Sequence, residues 1–211
     1  MLYVRRLIIL ALLGAVLTGC SSGEKAADSS AQPSAEPGTG AQTPSVPSSQ
    51  PSDNDSKDIQ AYFAQEGTHP EQAIIGLMNE AKRTLDIAIY SFNYEPIVDA
   101  IVDAADRGVS VRLITDREHA AEKGKQKDAL KRIAKAGIPV KTNSHDGKMH
   151  LKMLVADTQS VEAGSFNYLK SSVEENDDVA LIIHDAAVGK QFEDAFNTMW
   201  NDKDRFQDYQ E

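Results

Sequence analysis

Between residues 70 and 140 the apolar positions change period repeatedly, and each change marks a new element. Ile74, Leu77, Met78 and Ala81 recur at three- and four-residue intervals behind Pro70, a spacing that predicts a helix with one buried stripe. Leu85, Ile87 and Ile89 then alternate with Asp86, Ala88 and Tyr90, so residues 85–92 read as a strand. Pro96 suits a first helical position, Ile97, Ile101, Ala104 and Ala105 form the next stripe, and Gly108 is a natural stop before a strand carrying Val109, Val111 and Leu113. A short helix with Leu130, Ile133 and Ala134 is expected to end at Gly137, followed by a brief strand over 138–140.

The rhythm then changes. Residues 149–156, 160–165 and 179–183 are three strand candidates with no long helical pattern between them, and a last helix carries Val188, Phe192, Ala195, Phe196 and Met199. Alternation first and clustered strands afterwards predict an α/β fold, a mixed β-sheet flanked by helices on both faces. Trp200 and the stripe before it read as core.

Residues 1–57 carry no such pattern. Arg5 and Arg6 precede an apolar run from Leu7 to Leu17, too short to cross a bilayer of about 30 Å but suited to an export signal over 1–19. The run ends in Leu17-Thr18-Gly19-Cys20, which resembles the bacterial lipobox, so Cys20 is expected to be lipidated and to begin the mature chain. From Ser21 to Lys57 the chain is rich in Ser, Pro, Gly and Ala, and Val46 is its one apolar residue larger than Ala. Residues 20–57 thus read as a lipidated Cys with a disordered tether, reaching on the order of 30 to 36 Å as a flexible coil. The expected location is the extracytoplasmic face of a bacterial cell envelope, and the folded domain is 58–211.

Cys20 is the single cysteine of the chain, which excludes an internal disulfide and any four-cysteine metal site. The net charge of −10 argues against a general nucleic-acid coat protein. Charge is unevenly spread, however: residues 112–152 hold 11 basic against 5 acidic groups, whereas 58–111 hold 3 against 9 and 153–211 hold 4 against 13. Lys123, Lys125, Lys127, Lys131, Arg132, Lys135 and Lys148 are either a positive margin for a polyanion or an ordinary solvated helix face.

That basic block leads into the residues that carry chemistry. In His150-Leu151-Lys152-Met153-Leu154-Val155-Ala156-Asp157, a period of two puts His150 and Lys152 on one face and Leu151, Met153 and Val155 on the other. A Lys is rarely buried unless paired, so the His150 side of that strand is expected to hold polar partners. Seven residues beyond Asp157, Gly164-Ser165-Phe166-Asn167 sets a hydroxyl and a carboxamide at the end of the next strand. No two His stand at i,i+4, so no helical zinc site is expected, and Asn167 replaces the second Gly that a serine-hydrolase elbow would need. His69, His119 and His184 read as surface or loop residues.

The pattern H-x-K, four residues, D, six residues, G-S-x-N resembles the motif of the phospholipase D superfamily, and His150, Lys152, Asp157, Gly164, Ser165 and Asn167 match it at the family's spacing. The likeness extends upstream through residues 81–92 and 107–111 and is nearest to the small bacterial endonuclease type, with one motif per chain. It implies a metal-independent phosphodiesterase without cofactor. His150 would attack phosphorus to form a phosphohistidine, and Lys152, Ser165 and Asn167 would hold the phosphate oxygens. Asp157 completes the catalytic set, or instead closes the strand through a turn. An acidic residue thirteen positions after the Ser orients the His ring in this family; here it is Asp178, with Asp177 and Glu175 as alternatives.

A single motif supplies one His, while the reaction needs a nucleophile and an acid. The resemblance implies a homodimer with one active site at its interface, and His145 is the competing acid within the chain. The substrate expected is DNA or RNA, with phospholipid hydrolysis as the alternative and a catalytically silent binding domain as the third reading.

Overall fold

The computed structural model describes residues 58–121 and 124–210. The expected signal, Cys20, the tether and Lys123 lie outside them.

Eight strands form one sheet: β1 (Asp58–Phe63), β2 (Thr84–Ile89), β3 (Ser110–Thr115), β4 (Val140–Asn143), β5 (Lys152–Ala156), β6 (Ser160–Gly164), β7 (Val179–His184) and β8 (Phe206–Asp208). Their spatial order is β1-β7-β6-β5-β2-β3-β4-β8, parallel across β2, β3 and β4 and antiparallel elsewhere. Six helices accompany it: α1 (Pro70–Glu80), α2 (Glu95–Asp106), α3 (Arg117–Ala121), α4 (Lys125–Lys135), α5 (Lys170–Glu174) and α6 (Ala186–Asn201). The mixed sheet with helices on both faces is the architecture expected from the sequence.

The two faces make two cores. Ile74, Leu77 and Met78 of α1, Ile97 and Ile101 of α2 and Leu130 and Ile133 of α4 pack on Leu85, Ile87, Ile89, Leu113 and Leu154. The opposite face gathers Ala88, Ile114, Met153, Val155 and Val161 under Phe196, with Val188, Phe192, Met199 and Trp200 half-buried around it. Arg112 pins α6 there. It pairs with the buried carboxylate of Asp86 through two 2.7 Å bonds, donates to Asn197 Oδ1 at 2.9 Å, and lies over the Phe196 and Trp200 rings. Gly108 and Gly137 end their helices at φ 88° and 74°, as stop glycines do.

Several boundaries differ from the expected ones. β1 and β8 were not expected: β1 is exposed along nearly its whole length and β8 has three residues, so neither shows a buried period. The brief strand over 138–140 is displaced to Val140–Asn143, where it pairs with both β3 and β8. β5 begins at Lys152, leaving His150 and Leu151 ahead of it, although Tyr90 N still donates to Leu151 O at 2.9 Å.

Candidate active site

Because β5 runs antiparallel to β2, its first residue Lys152 lies opposite Ile89, the last of β2. The ends of β2, β3 and β6 and the starts of β5 and β7 therefore share one margin of the sheet. Ligand sites of sheets with parallel strands gather at such carboxyl ends.

His150 is exposed there, its ring 4.3 Å from that of Tyr90 at 58°. The Lys152 ammonium sits 3.2 Å from each imidazole nitrogen and donates to the His150 carbonyl at 3.0 Å. Lys152 is only 7% exposed. Burial pulls its pKa below the ordinary lysine value, and the Asp178 carboxylate opposes that pull. Burial of the His150 ring, then the Lys152 and Lys148 charges, lower the histidine pKa as well, against Asp116. The imidazole is accordingly neutral at pH 7, with a lone pair for nucleophilic attack.

Just after β6 and just before β7, Ser165 Oγ donates to Asp178 Oδ1 at 2.8 Å and accepts from Val179 N at 3.1 Å. Asp178 thus meets Ser165 and the field of Lys152, and no bond to the His150 ring accompanies them. Its Oδ2 and the Oδ1 of Asn167 are buried and without hydrogen-bond partners among the described residues. Glu175 and Asp177 are exposed on the loop before β7. Gly164 is obligatory for steric reasons: a Cβ there would collide with the Val179 carbonyl.

Asp157 stands at the far end of β5 from His150. Its Oδ1 accepts from Arg83 N and Thr84 N at 2.7 and 2.9 Å, and its Oδ2 from Lys82 N at 2.9 Å. It and Thr158 are the central residues of the 156–159 turn, at φ 55° and 61°, closed by Gln159 N to Ala156 O at 2.9 Å. Its carboxylate stitches the start of β2 to the β5–β6 turn, which is the strand-closing geometry the sequence also allowed. His145 packs on Phe206, and its Nδ1 meets the Asp146 carbonyl at 2.7 Å, an environment apart from that of His150. His69 pairs with Glu71 and His184 with Ser160, the peripheral places expected of them.

His119 is not peripheral. Its ring meets Tyr90 edge-on at 4.4 Å, so Tyr90 touches two imidazoles, while its hydroxyl accepts from Lys148 at 2.9 Å. The buried Asp116 ties their segments together. Oδ1 accepts from Glu118 N and His119 N at the start of α3, and Oδ2 from Met149 N just before His150. Gln126 of α4 accepts from Ser91 Oγ and Phe92 N at 2.8 and 3.0 Å. Sequence reasoning missed Tyr90, Asp116 and His119; the available signal was that Tyr90 and Asp116 directly follow parallel strands. Among the described residues no group of three or more His, Cys, Asp or Glu could hold a metal.

Fold and site together define a phospholipase D-like domain. The family model described as cardiolipin synthase, PLD-like domain, matches residues 74–200, and the chain belongs to that family. The mitochondrial cardiolipin hydrolase of Xenopus tropicalis is 30% identical over 128 residues, which are 61% of this chain and 60% of that protein. A phospholipase D of Rickettsia conorii is 27% identical over 119 residues, 56% of this chain and 58% of the relative. The chain thus spans about three fifths of these relatives' length. Among solved structures, Nuc from Salmonella typhimurium, a phospholipase D family member, is 28% identical with a TM-score of 0.68, covering 74% of this chain and 99% of that one. NucT from Helicobacter pylori shares the fold at 23% identity and a TM-score of 0.64, over 68% and 96% of the two chains.

The structural role of Asp157 is separable from chemistry. Burial pushes its pKa up, but three backbone N–H groups and the Arg83 charge outweigh this and hold it below the ordinary 3.8. Its contribution to stability is therefore present above pH 3.8 and lost as pH falls through the lower folded value. Asp157→Ala is expected to cost about 2 kcal/mol in urea unfolding at pH 7 and much less at pH 2, with kcat of the folded fraction unchanged. A large fall in kcat at full stability would return the residue to the catalytic set.

Proposed function

We propose that this chain is a phosphodiesterase working through a phosphohistidine, with nucleic acid as its substrate. The observation that carries the reading is the neutral, exposed His150 beside the buried Lys152 ammonium, at the margin where Ser165 and Asn167 follow β6. His150 attacks phosphorus, the bond to the leaving oxygen breaks, and that oxygen takes a proton from a second group. Water then attacks the phosphorus, the P–N bond returns its electrons to His150, and the water proton passes to the same second group. Lys152, with the Ser165 hydroxyl and the Asn167 amide, stabilises the charge on the phosphate oxygens.

Nucleic acid is favoured by the cations near the site. Lys148 borders Tyr90, and Lys125 and Lys127 flank the buried Gln126 that holds the segment after Tyr90. The positive margin is narrower than the sequence suggested, since Arg132 pairs with Asp99 and Lys131 with Asp128. A phospholipid substrate is the second reading, supported by Leu151, 43% exposed next to His150, and by the cardiolipin hydrolase relatives.

With chelator present, the purified protein should cleave DNA or RNA in preference to phosphatidylcholine or cardiolipin vesicles. His150→Asn should remove turnover and the acid-labile, base-stable phosphoryl adduct, and Lys152→Ala should cost about 3 kcal/mol in kcat/KM. Activity lost to a chelator and restored by a divalent ion would defeat the mechanism.

The second proton-transfer group is read as His150 of a twofold partner. An apolar strip supports this: Ile59, Ala61 and Phe63 of β1 lie opposite Ile183, Leu181 and Val179 of β7, with Ile59 and Phe63 57% and 50% exposed. Light scattering should give twice the monomer mass at micromolar concentration, and Phe63→Asp should halve it together with activity falling away. An active monomer at assay concentration refutes the dimer.

Cys20 is read as a lipid anchor holding this domain at the envelope surface. Replacing it by Ala should move the protein to the soluble fraction or stall its processing. Retention in the membrane at the normal mature size speaks against the anchor.

A further inference from the structure

Glu162 is a carboxyl group that the proposed chemistry does not use, and it is completely buried. It sits in the middle of β6, flanked by Leu154 of β5 and Ile182 of β7, on the sheet face that Lys152 shares. The hydroxyl of Tyr168, also fully buried, donates to its Oε2 at 2.8 Å. Glu162 lies two residues before Gly164 and Tyr168 one residue after Asn167, so their bond closes a loop around Gly164-Ser165-Phe166-Asn167.

Tyr168 is also fastened through its backbone. Its N–H donates to Ser91 O at 3.2 Å, and its carbonyl accepts from Asn93 N and Tyr94 N at 2.8 and 2.9 Å. That segment directly follows Tyr90, whose ring lies against His150. The Tyr168 backbone therefore joins the turn bearing Ser165 and Asn167 to the segment after Tyr90, and the buried side-chain bond to Glu162 ties Tyr168 back to β6.

We propose that Glu162 is a positioning residue of this site: through the Tyr168 hydroxyl it clasps the Gly164–Asn167 turn and fixes Asn167 relative to His150. The proposal rests on the phosphodiesterase reading for its kinetic consequence only. A hydrogen bond inside a core is strong because no water competes, and a misplacement on the order of 1 Å in a phosphate-holding group costs up to about a hundredfold in rate.

The clasp has a protonation state. Burial raises the Glu162 pKa from 4.5 to about 7, against the smaller opposing effect of the Tyr168 bond. Other titratable groups on this sheet face include Lys152 and Asp178 towards the site, Asp58 and Tyr62 on β1, and His184 beyond the opposite end of β6. Of the helices nearby, Glu71 of α1 pairs with His69, Glu80 is exposed, and Lys170 of α5 pairs with Glu174. Tyr168 is the partner that touches the carboxyl. Since the folded value is the raised one, the contribution of Glu162 to stability is full below pH 4.5 and declines as pH rises through 7.

Glu162→Gln keeps an acceptor for Tyr168 but cannot ionise, while Tyr168→Phe deletes the clasp and leaves the ring. In the intact protein, infrared difference spectra should show a protonated-carboxyl band that titrates near pH 7 and is missing from Glu162→Gln. The Asn167 side-chain amide resonance should move with that titration in the wild type and stay still in the variant. Kinetically, Glu162→Gln should hold kcat within about twofold of the wild type, and Tyr168→Phe should lower kcat about tenfold with KM little changed. A titration-independent Asn167 resonance, or Tyr168→Phe with wild-type kcat, overturns the clasp. Should the wild type turn over no phosphodiester, the functional reading falls by itself, because the infrared and amide signals judge the clasp without activity.

Discussion

A cation held at 7% exposure on the rim of an apolar core is the constraint around which this site is built. Lys152 continues the row of Leu154 and Ala156, side chains that belong to the larger core, and its ammonium emerges only because β5 starts there. An ion in that position needs acceptors and a counter-charge near by. The His150 carbonyl supplies one and Asp178 the other, and Asp178 is in turn held by Ser165. Burial of the His150 ring, and then this neighbouring ammonium, disfavour an imidazolium and keep the ring neutral.

Everything else at the margin fixes the seat of that pair. Asp116 uses its two oxygens on two segments, the first turn of α3 and the residue before His150, so the loops following β3 and preceding β5 cannot shift independently. Gln126 does similar work for α4 and the segment after β2. On the opposite face, Arg112 brings a paired charge, a hydrogen bond and two aromatic contacts to the place where α6 crosses the sheet. The helix thereby keeps that core closed without taking part in the chemistry.

Where elements bury a stripe and end on a glycine, the sequence announced them: α2 with Gly108 and α4 with Gly137 are the clearest instances. The motif was legible because its spacing equals the distance along two hairpin-linked strands, with Gly164 forced by contact with β7. β1 was invisible since its apolar residues face outwards, and β8 is too short to show any period. His119 is separated from His150 by thirty residues of chain that fold back, and no local pattern encodes that return. Glu162 misleads for another reason: on a strand covered on both sides, an acidic residue between Val161 and Ala163 reads as solvent-facing although it is wholly enclosed.

The left-handed turn at Asp157 and Thr158 bears on why an Asp stands there. Three backbone amides depend on one carboxylate, in a turn whose φ values an ordinary residue adopts at a cost, and α6 presses Gly189 against the Thr158 carbonyl. Asp157 thus has a folding reason to stand in this turn that does not depend on the identities of His150 and Lys152 at the other end of β5.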